Sequence, residues 1–279
     1  LVYGFSFFGA LCLIFSQSKI LITIFILILI YQFLFCKRSE YWRRFSRYMR
    51  PHLYFRSFKL VAEEELKEKE CLFAFHPHGV LSIIPPTVCS VNEIFFKSRF
   101  LVSRVLLNFP LSGAFAKLLG GEAVHKKNFV KIMQQGDNII FMPGGFEEAT
   151  ITDFNKNKIF IKNRIGFIKY ALDFGYSIQP CYAFNEHKLF YNLTKFEKFR
   201  LFMNSWKIPG AFFLSKLGLM PHYDVDITVV VGKRIDIPKI ENPTEEDILK
   251  YHKIYMDSLI DLYYRNTNKY GDGEKLIVY

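Results

Sequence analysis

Cysteine is sparse and unpatterned. Cys12, Cys36, Cys71, Cys89 and Cys181 show no CxxC pair, no metal-ligand spacing and an odd count. That excludes a disulfide framework as the organising device and fits a reducing, cytosol-facing location. Internal repeats are absent, so the chain is not an array of stacked units. The N-terminal region has neither a basic leader nor a small-x-small cleavage site, which argues against a cleaved signal peptide followed by a core helix. Carboxylates are scarce early: across residues 37–59 the single acid is Glu40.

Apolar and basic residues fill the same region. The 279 residues are 51% hydrophobic and 18% aromatic, with 31 Phe and a formal charge of +11. Residues 1–15 and 20–36 are uncharged apolar stretches split by Ser16, Gln17, Ser18 and Lys19. The second would extend about 25 Å as a helix, near the lower limit for crossing a hydrocarbon core of ~30 Å. A membrane-embedded helical hairpin over residues 1–36 is therefore expected, with both ends on one side. Residues 37–70 read as an interfacial linker. It begins with Lys37, Arg38, Arg43, Arg44, Arg47, Arg50, Arg56 and Lys59, interleaved with Tyr41, Trp42, Phe45 and Tyr48. Basic charge directly after an apolar segment marks the cytoplasmic side, and aromatic rings suit headgroup depth. Nucleic acid is not expected as a partner, because no folded reader motif accompanies the basic run. The charged stretch 63–70 is a solvated turn or short helix without chemistry.

Residues 71–279 form the expected catalytic domain. The apolar run from Leu72 to Phe75 delivers His76, Pro77, His78 and Gly79, the pattern of a buried strand ending where two imidazoles begin. Pro77 fixes its own φ, and Gly79 permits a sharp turn or a close approach. Imidazoles titrate near neutrality, so such a pair suits proton removal from a hydroxyl; two structural histidines, or a metal site lacking its third ligand, are the competing readings. The pattern recurs at residues 138–142, a second buried strand running into Pro143, Gly144, Gly145, Phe146, Glu147 and Glu148. Ligands of open α/β sheets gather beyond strand ends, so His76/His78 and Glu147/Glu148 are expected at one edge. There a carboxylate would orient an imidazole, and the Gly144-Gly145 backbone would face an anion.

Downstream, a strand-like piece near Ile159 leads into an amphipathic helix closed by Gly175, whose Lys162, Arg164 and Lys169 suit cofactor phosphates as well as plain solvation. Residues 177–184 read as a strand leading to Asn185, Glu186 and His187. The Phe-rich residues 189–220 fit a core, a lid or a second membrane-contacting surface, and periodicity does not choose. Residues 226–236 give the last strand, and Thr244 with Asp247 is a capping box opening a helix through about Arg265.

Four segments in order then carry a resemblance: HPHG (76–79), PGGFEE (143–148), KNRIGFIKYAL (162–172) and ITVVVGKRIDIPKIENPTEEDILKYHKIYMDSL (227–259). The chain resembles the type-2 diacylglycerol acyltransferase family, which includes monoacylglycerol and wax-alcohol acyltransferases. The resemblance implies an acyl-CoA-dependent O-acyltransferase of the endoplasmic reticulum membrane and lipid droplets. Its implied fold is a membrane hairpin before an α/β domain, a mixed and largely parallel sheet flanked by helices as in glycerolipid acyltransferases. That wider group uses a His with an Asp five residues on, whereas Leu81 and Ile83 stand at those distances here. The acid must come from elsewhere, and the family's GGxxE pattern points to Glu148, with Glu147 as the alternative. The expected catalytic residues are His78 as base, supported by His76, and Glu148. Pro77, Gly79, Pro143, Gly144, Gly145, Glu147, Lys162, Asn163, Arg164 and Gly166 are expected to contact substrate. Neither a metal nor a resident cofactor is expected, acyl-CoA being a co-substrate. The expected partners are acyl-CoA, a neutral lipid acceptor and membrane lipids, with homo-oligomerisation left open. PGGFEE lacks the Arg that phosphate-acceptor enzymes carry there and adds carboxylates, which favours a neutral alcohol such as diacylglycerol over an anion. A non-catalytic lipid-droplet-surface protein is the alternative from another class.

Overall fold

The structure, a computed structural model, describes residues 19–109, 112–218 and 220–279. Among these, seven strands form the main sheet: β1 (Ser57–Ala62), β2 (Cys71–His76), β3 (Arg99–Val102), β4 (Gly121–Ala123), β5 (Ile139–Phe141), β6 (Ser177–Phe184) and β7 (Asp226–Val231). Their order is β1-β7-β6-β2-β5-β3-β4. All neighbouring pairs are parallel except β7 with β6, so the sheet is mixed and largely parallel as expected. Parallel strands covered on both faces read as unbroken apolar runs, and every residue of β2 is buried.

Helices are α1 (Lys19–Leu34), α2 (Glu40–Tyr48), α3 (Ile84–Val91), α4 (Lys126–Gln134), α5 (Gly145–Ile151), α6 (Gly166–Phe174), α7 (Glu197–Ser205) and α8 (Glu245–Tyr270), with shorter ones between. Side chains alternate along β2. Leu72 and Ala74 join the core under α4, α6 and α8, whereas Cys71, Phe73 and Phe75 join the core under α3. His76 continues the first set and faces α8, where Tyr255 meets it.

The N-terminal expectation needs correction. Residues 1–15, the first arm of the expected hairpin, lie outside the described residues. The second arm is α1, whose 16 residues rise about 24 Å. Among the described residues no helix is long and apolar enough to cross a membrane, and the membrane-embedded hairpin is not supported. Instead α1 docks at its C-terminal end, where the buried Gln32 Nε2 donates to the carbonyls of Leu107 (3.2 Å) and Phe109 (2.9 Å). Ile26, Leu27, Ile30 and Leu34 remain exposed. Ser57–Ala62 falls inside the stretch read as a linker, and it is an edge strand pairing residue for residue with β7.

Helix α8 starts where the sequence places it. Thr244 Oγ1 accepts from the Asp247 N–H at 3.1 Å, and Asp247 Oδ2 accepts from the Thr244 N–H at 3.0 Å. It runs past Arg265 to Tyr270, where Thr267 is buried and the Tyr270 ring lies 6.3 Å from that of Phe184. Tertiary burial thus extends the helix beyond its amphipathic signal. Replacing Thr244 with Ala should lower unfolding stability by about 1 kcal/mol, read by urea titration, without changing turnover.

Candidate active site

Parallel pairing of β2 with β5, with Leu72 opposite Ile139 and Ala74 opposite Phe141, brings both strand ends to one edge of the sheet. HPHG and PGGFEE therefore meet. Helix α5 opens at Gly145 and holds Glu147 and Glu148 in its first turn. Successive helical residues point about 100° apart, so the two carboxyls part company. Glu148 turns inward and is fully buried, whereas Glu147 turns toward Arg164 and forms an ion pair with it.

Glu148 joins three segments. Its oxygens lie 3.1 Å from His76 Nδ1, Oε1 accepts from the His78 backbone N–H at 2.5 Å, and Oε2 accepts from the Phe160 backbone N–H at 2.7 Å. With the carboxylate accepting, His76 Nδ1 carries the proton and its Nε2 accepts from the Tyr255 hydroxyl at 3.0 Å. His76 and Tyr255 are both fully buried. Gly144 exists to admit this carboxyl, since a Cβ there would stand 2.1 Å from Glu148 Oε2.

The imidazole on Glu148 is thus His76. His78, the expected base, takes a backbone contact from Glu148 and points its ring elsewhere, half-buried at the edge. Its Nδ1 donates to the Gly79 carbonyl at 2.8 Å, which leaves Nε2 as the acceptor. Ser82 Oγ lies 3.1 Å from Nδ1 and 3.0 Å from Nε2, so it sits across the ring and not along either lone pair. Burial lowers the His78 pKa from its ordinary value of 6.5 and keeps the ring neutral at pH 7.

Other expected residues are placed unevenly. Pro77 is buried behind a cis His76–Pro77 peptide, and Pro143 is half-buried. Gly145 has φ +58 at the start of α5. Arg164 lies over the Phe160 ring at 5.1 Å and is already matched by Glu147. Lys162, Asn163 and Gly166 are exposed at the entry to α6. Cys71 and Cys89 are poor nucleophiles, because burial pushes both thiols up to about 12. The two described cavities, about 330 and 570 Å³, are lined by no residue of HPHG or PGGFEE.

Three participants were not assigned roles from sequence. Tyr255 lies mid-helix with no local signal. Ser82 has φ +52, a backbone state that sequence does not announce. Glu186 follows the end of β6, the same strand-then-titratable pattern that marked the other two loops. It is buried directly beneath Gly79: a Cβ on Gly79, itself at φ +59, would stand 1.6 Å from Glu186 Oε1. Its Oε2 is buried without a hydrogen-bond partner, and burial, then the nearby Glu148, raises its pKa to about 8.

The folded state therefore keeps Glu186 protonated at neutral pH while the unfolded chain ionises it near 4.5. Between those values the native state binds more protons, so this group's contribution to stability is full below pH 4.5 and is lost as pH rises to about 8. Glu186→Gln should gain thermal stability over the parent as pH rises from 5 to 8, read by melting at both pH values. Gly79→Ala should lose the fold or all activity, through both the clash and the positive φ.

The family profile described as Diacylglycerol acyltransferase matches residues 11–279. Diacylglycerol O-acyltransferase 1 of Schizosaccharomyces pombe is 29% identical over 276 residues, covering 90% of this chain and 79% of that protein. Diacylglycerol O-acyltransferase 2 of Mus musculus is 28% identical, covering 84% of this chain and 66% of its own length. Acyl-CoA wax alcohol acyltransferase 2 of Mus musculus is 26% identical, covering 85% and 76%. Among solved structures, the 1-acyl-sn-glycerophosphate acyltransferase PlsC from Thermotoga maritima overlays with a TM-score of 0.48 at 15% identity, covering 93% of this chain and 87% of that one. That overlay is too loose to bear on the site. The sequence profile spans nearly the whole chain and includes both loops that meet at the sheet edge, so this chain belongs to the diacylglycerol acyltransferase family.

Proposed function

We propose that the protein is an acyl-CoA-dependent O-acyltransferase that esterifies a neutral glyceride, diacylglycerol to triacylglycerol, with His78 as general base. The observation that carries this reading is the neutral, half-buried His78 ring, fixed at Nδ1 by the Gly79 carbonyl and presented by a backbone that Glu148 holds from beneath. His78 Nε2 removes the acceptor hydroxyl proton as its oxygen attacks the thioester carbonyl. The C–S bond then breaks, CoA leaves as the thiolate, and the new C–O bond completes the ester. Backbone N–H groups near Gly79 or Gly144-Gly145 would stabilise the tetrahedral oxyanion. His76, whose Nε2 is occupied by Tyr255, positions the loop with Glu148.

Family membership supports the substrate class, and the paired Arg164 and Glu147 support an uncharged acceptor, since the guanidinium beside the loop is already neutralised. Exposed Lys162 and Asn163 at the start of α6 suit the phosphates of CoA. Exposed apolar residues of α1, followed by the exposed Tyr41, Trp42 and Phe45 among the arginines of α2, support seating on the cytosolic leaflet of the endoplasmic reticulum and on lipid droplets.

Purified protein with one labelled acyl-CoA and a panel of diacylglycerol, monoacylglycerol and long-chain alcohol should esterify diacylglycerol fastest. A dominant rate on the alcohol would assign the chain to wax-ester synthesis, and no transfer to any acceptor would sink the enzyme reading. His78→Ala should cut turnover about 10²- to 10⁴-fold with the fold intact. Because neutral His78 is the active form and burial lowers its pKa, the loss of turnover on acidification should have its midpoint below pH 6.5, measured as kcat against pH.

A further inference from the structure

Helix α7 is built with its polarity reversed. Arg200 and Asn204, one turn apart, face the protein and are buried. Arg200 donates from Nη1 to the carbonyls of Thr150 (2.6 Å) and Gly210 (3.1 Å) and from Nε to that of Lys195 (3.0 Å). Asn204 Nδ2 donates to the Phe146 carbonyl at 3.2 Å and to Thr150 Oγ1 at 2.8 Å, while its Oδ1 accepts from the Gly210 N–H at 2.9 Å. The outward face carries aromatic rings instead: Phe196, Phe199, Phe202 and Trp206 are 74, 62, 58 and 70% exposed. Phe199, Phe202 and Trp206 are spaced three and four apart, so they form one stripe. A helix facing water shows the opposite arrangement.

Two further observations say what covers this stripe. Exposed Lys195, Lys198 and Lys207 rim it, and the helix's one acid, Glu197, turns away to pair with Lys158. Phe212, Leu214 and Leu217 of the following segment are exposed as well, extending the apolar surface beyond one helix. Aromatic side chains within a lysine rim complement the boundary between lipid headgroups and acyl chains.

We infer that α7 is a second lipid contact, separate from α1 and α2, that lays Phe199, Phe202 and Trp206 into a phospholipid leaflet. Its buried face is fixed to α5, the helix that opens with Gly145, Glu147 and Glu148, so the leaflet lies directly over that helix. The contact does not depend on the acyltransferase reading. Its consequence, that a neutral acceptor enters laterally from the leaflet, does.

Trp42→Phe leaves Trp206 as the only indole in the chain. This protein, reconstituted into phosphatidylcholine–phosphatidylserine vesicles, should show a blue-shifted Trp206 emission and a roughly two-fold loss of intensity when the acyl chains are brominated, as expected for an indole at the acyl boundary. Protein that floats with vesicles but whose Trp206 is unquenched overturns the proposal. So does emission already blue-shifted without vesicles and unchanged on adding them, which would mean that residues 1–18 or a second copy occupy the face. Phe199→Ser combined with Phe202→Ser should abolish the quenching while unfolding remains cooperative. It should slow transfer to vesicle-borne diacylglycerol several-fold and spare transfer to a short-chain, water-soluble glyceride. Loss of both activities alongside the loss of quenching would overturn lateral entry of the acceptor and leave the lipid contact standing, whereas a parent protein inactive on every acceptor would sink the acyltransferase reading alone.

Discussion

A buried carboxylate holds the site together. Glu148 is removed from water, which costs several kcal/mol for an unpaired charge, and two backbone N–H groups with one imidazole N–H offset that cost. These donors come from β2, from the turn after it and from the segment before Ile161. One side chain therefore ties the end of β2 and the segment before Ile161 to the start of α5. The glycines follow from the same packing: Gly144 makes room for Glu148, and Gly79 makes room for Glu186.

The two histidines of HPHG differ because their surroundings differ. His76 continues the inward set of a fully buried strand, so its ring must satisfy both nitrogens inside, on Glu148 and Tyr255. His78 lies beyond the strand and at the surface of the sheet edge. Burial there suffices to keep it neutral without locking its second nitrogen into the core. Two imidazoles two residues apart thus differ in burial and partners with no difference in residue type.

Helix α7 shows a related inversion on a larger scale. Polar side chains point inward because the carbonyls of α5 and of Gly210 need donors, and Arg200 and Asn204 supply them. The aromatic residues are left outside. Polarity around a helix is read against its surroundings, and this face is the reverse of one built for water.

Much of the α/β core was legible. Strand β6 falls where the apolar run places it, α6 ends at Gly175 with φ +71, and the Thr244–Asp247 box opens α8. These features depend on local spacing, capping and glycine chemistry, which neighbouring residues alone dictate. The meeting of HPHG with PGGFEE was also legible, because two apolar runs ending in Pro and Gly imply strand ends at one edge of a parallel sheet. The pairing of Glu148 with His76 was not, nor was the membrane-embedded hairpin supported among the described residues. Nor could neighbouring residues announce Tyr255 on His76, Glu186 under Gly79, or the inward turn of Arg200. Each depends on segments tens to more than a hundred residues apart, and only packing of sheet against helix chooses which side chain meets which.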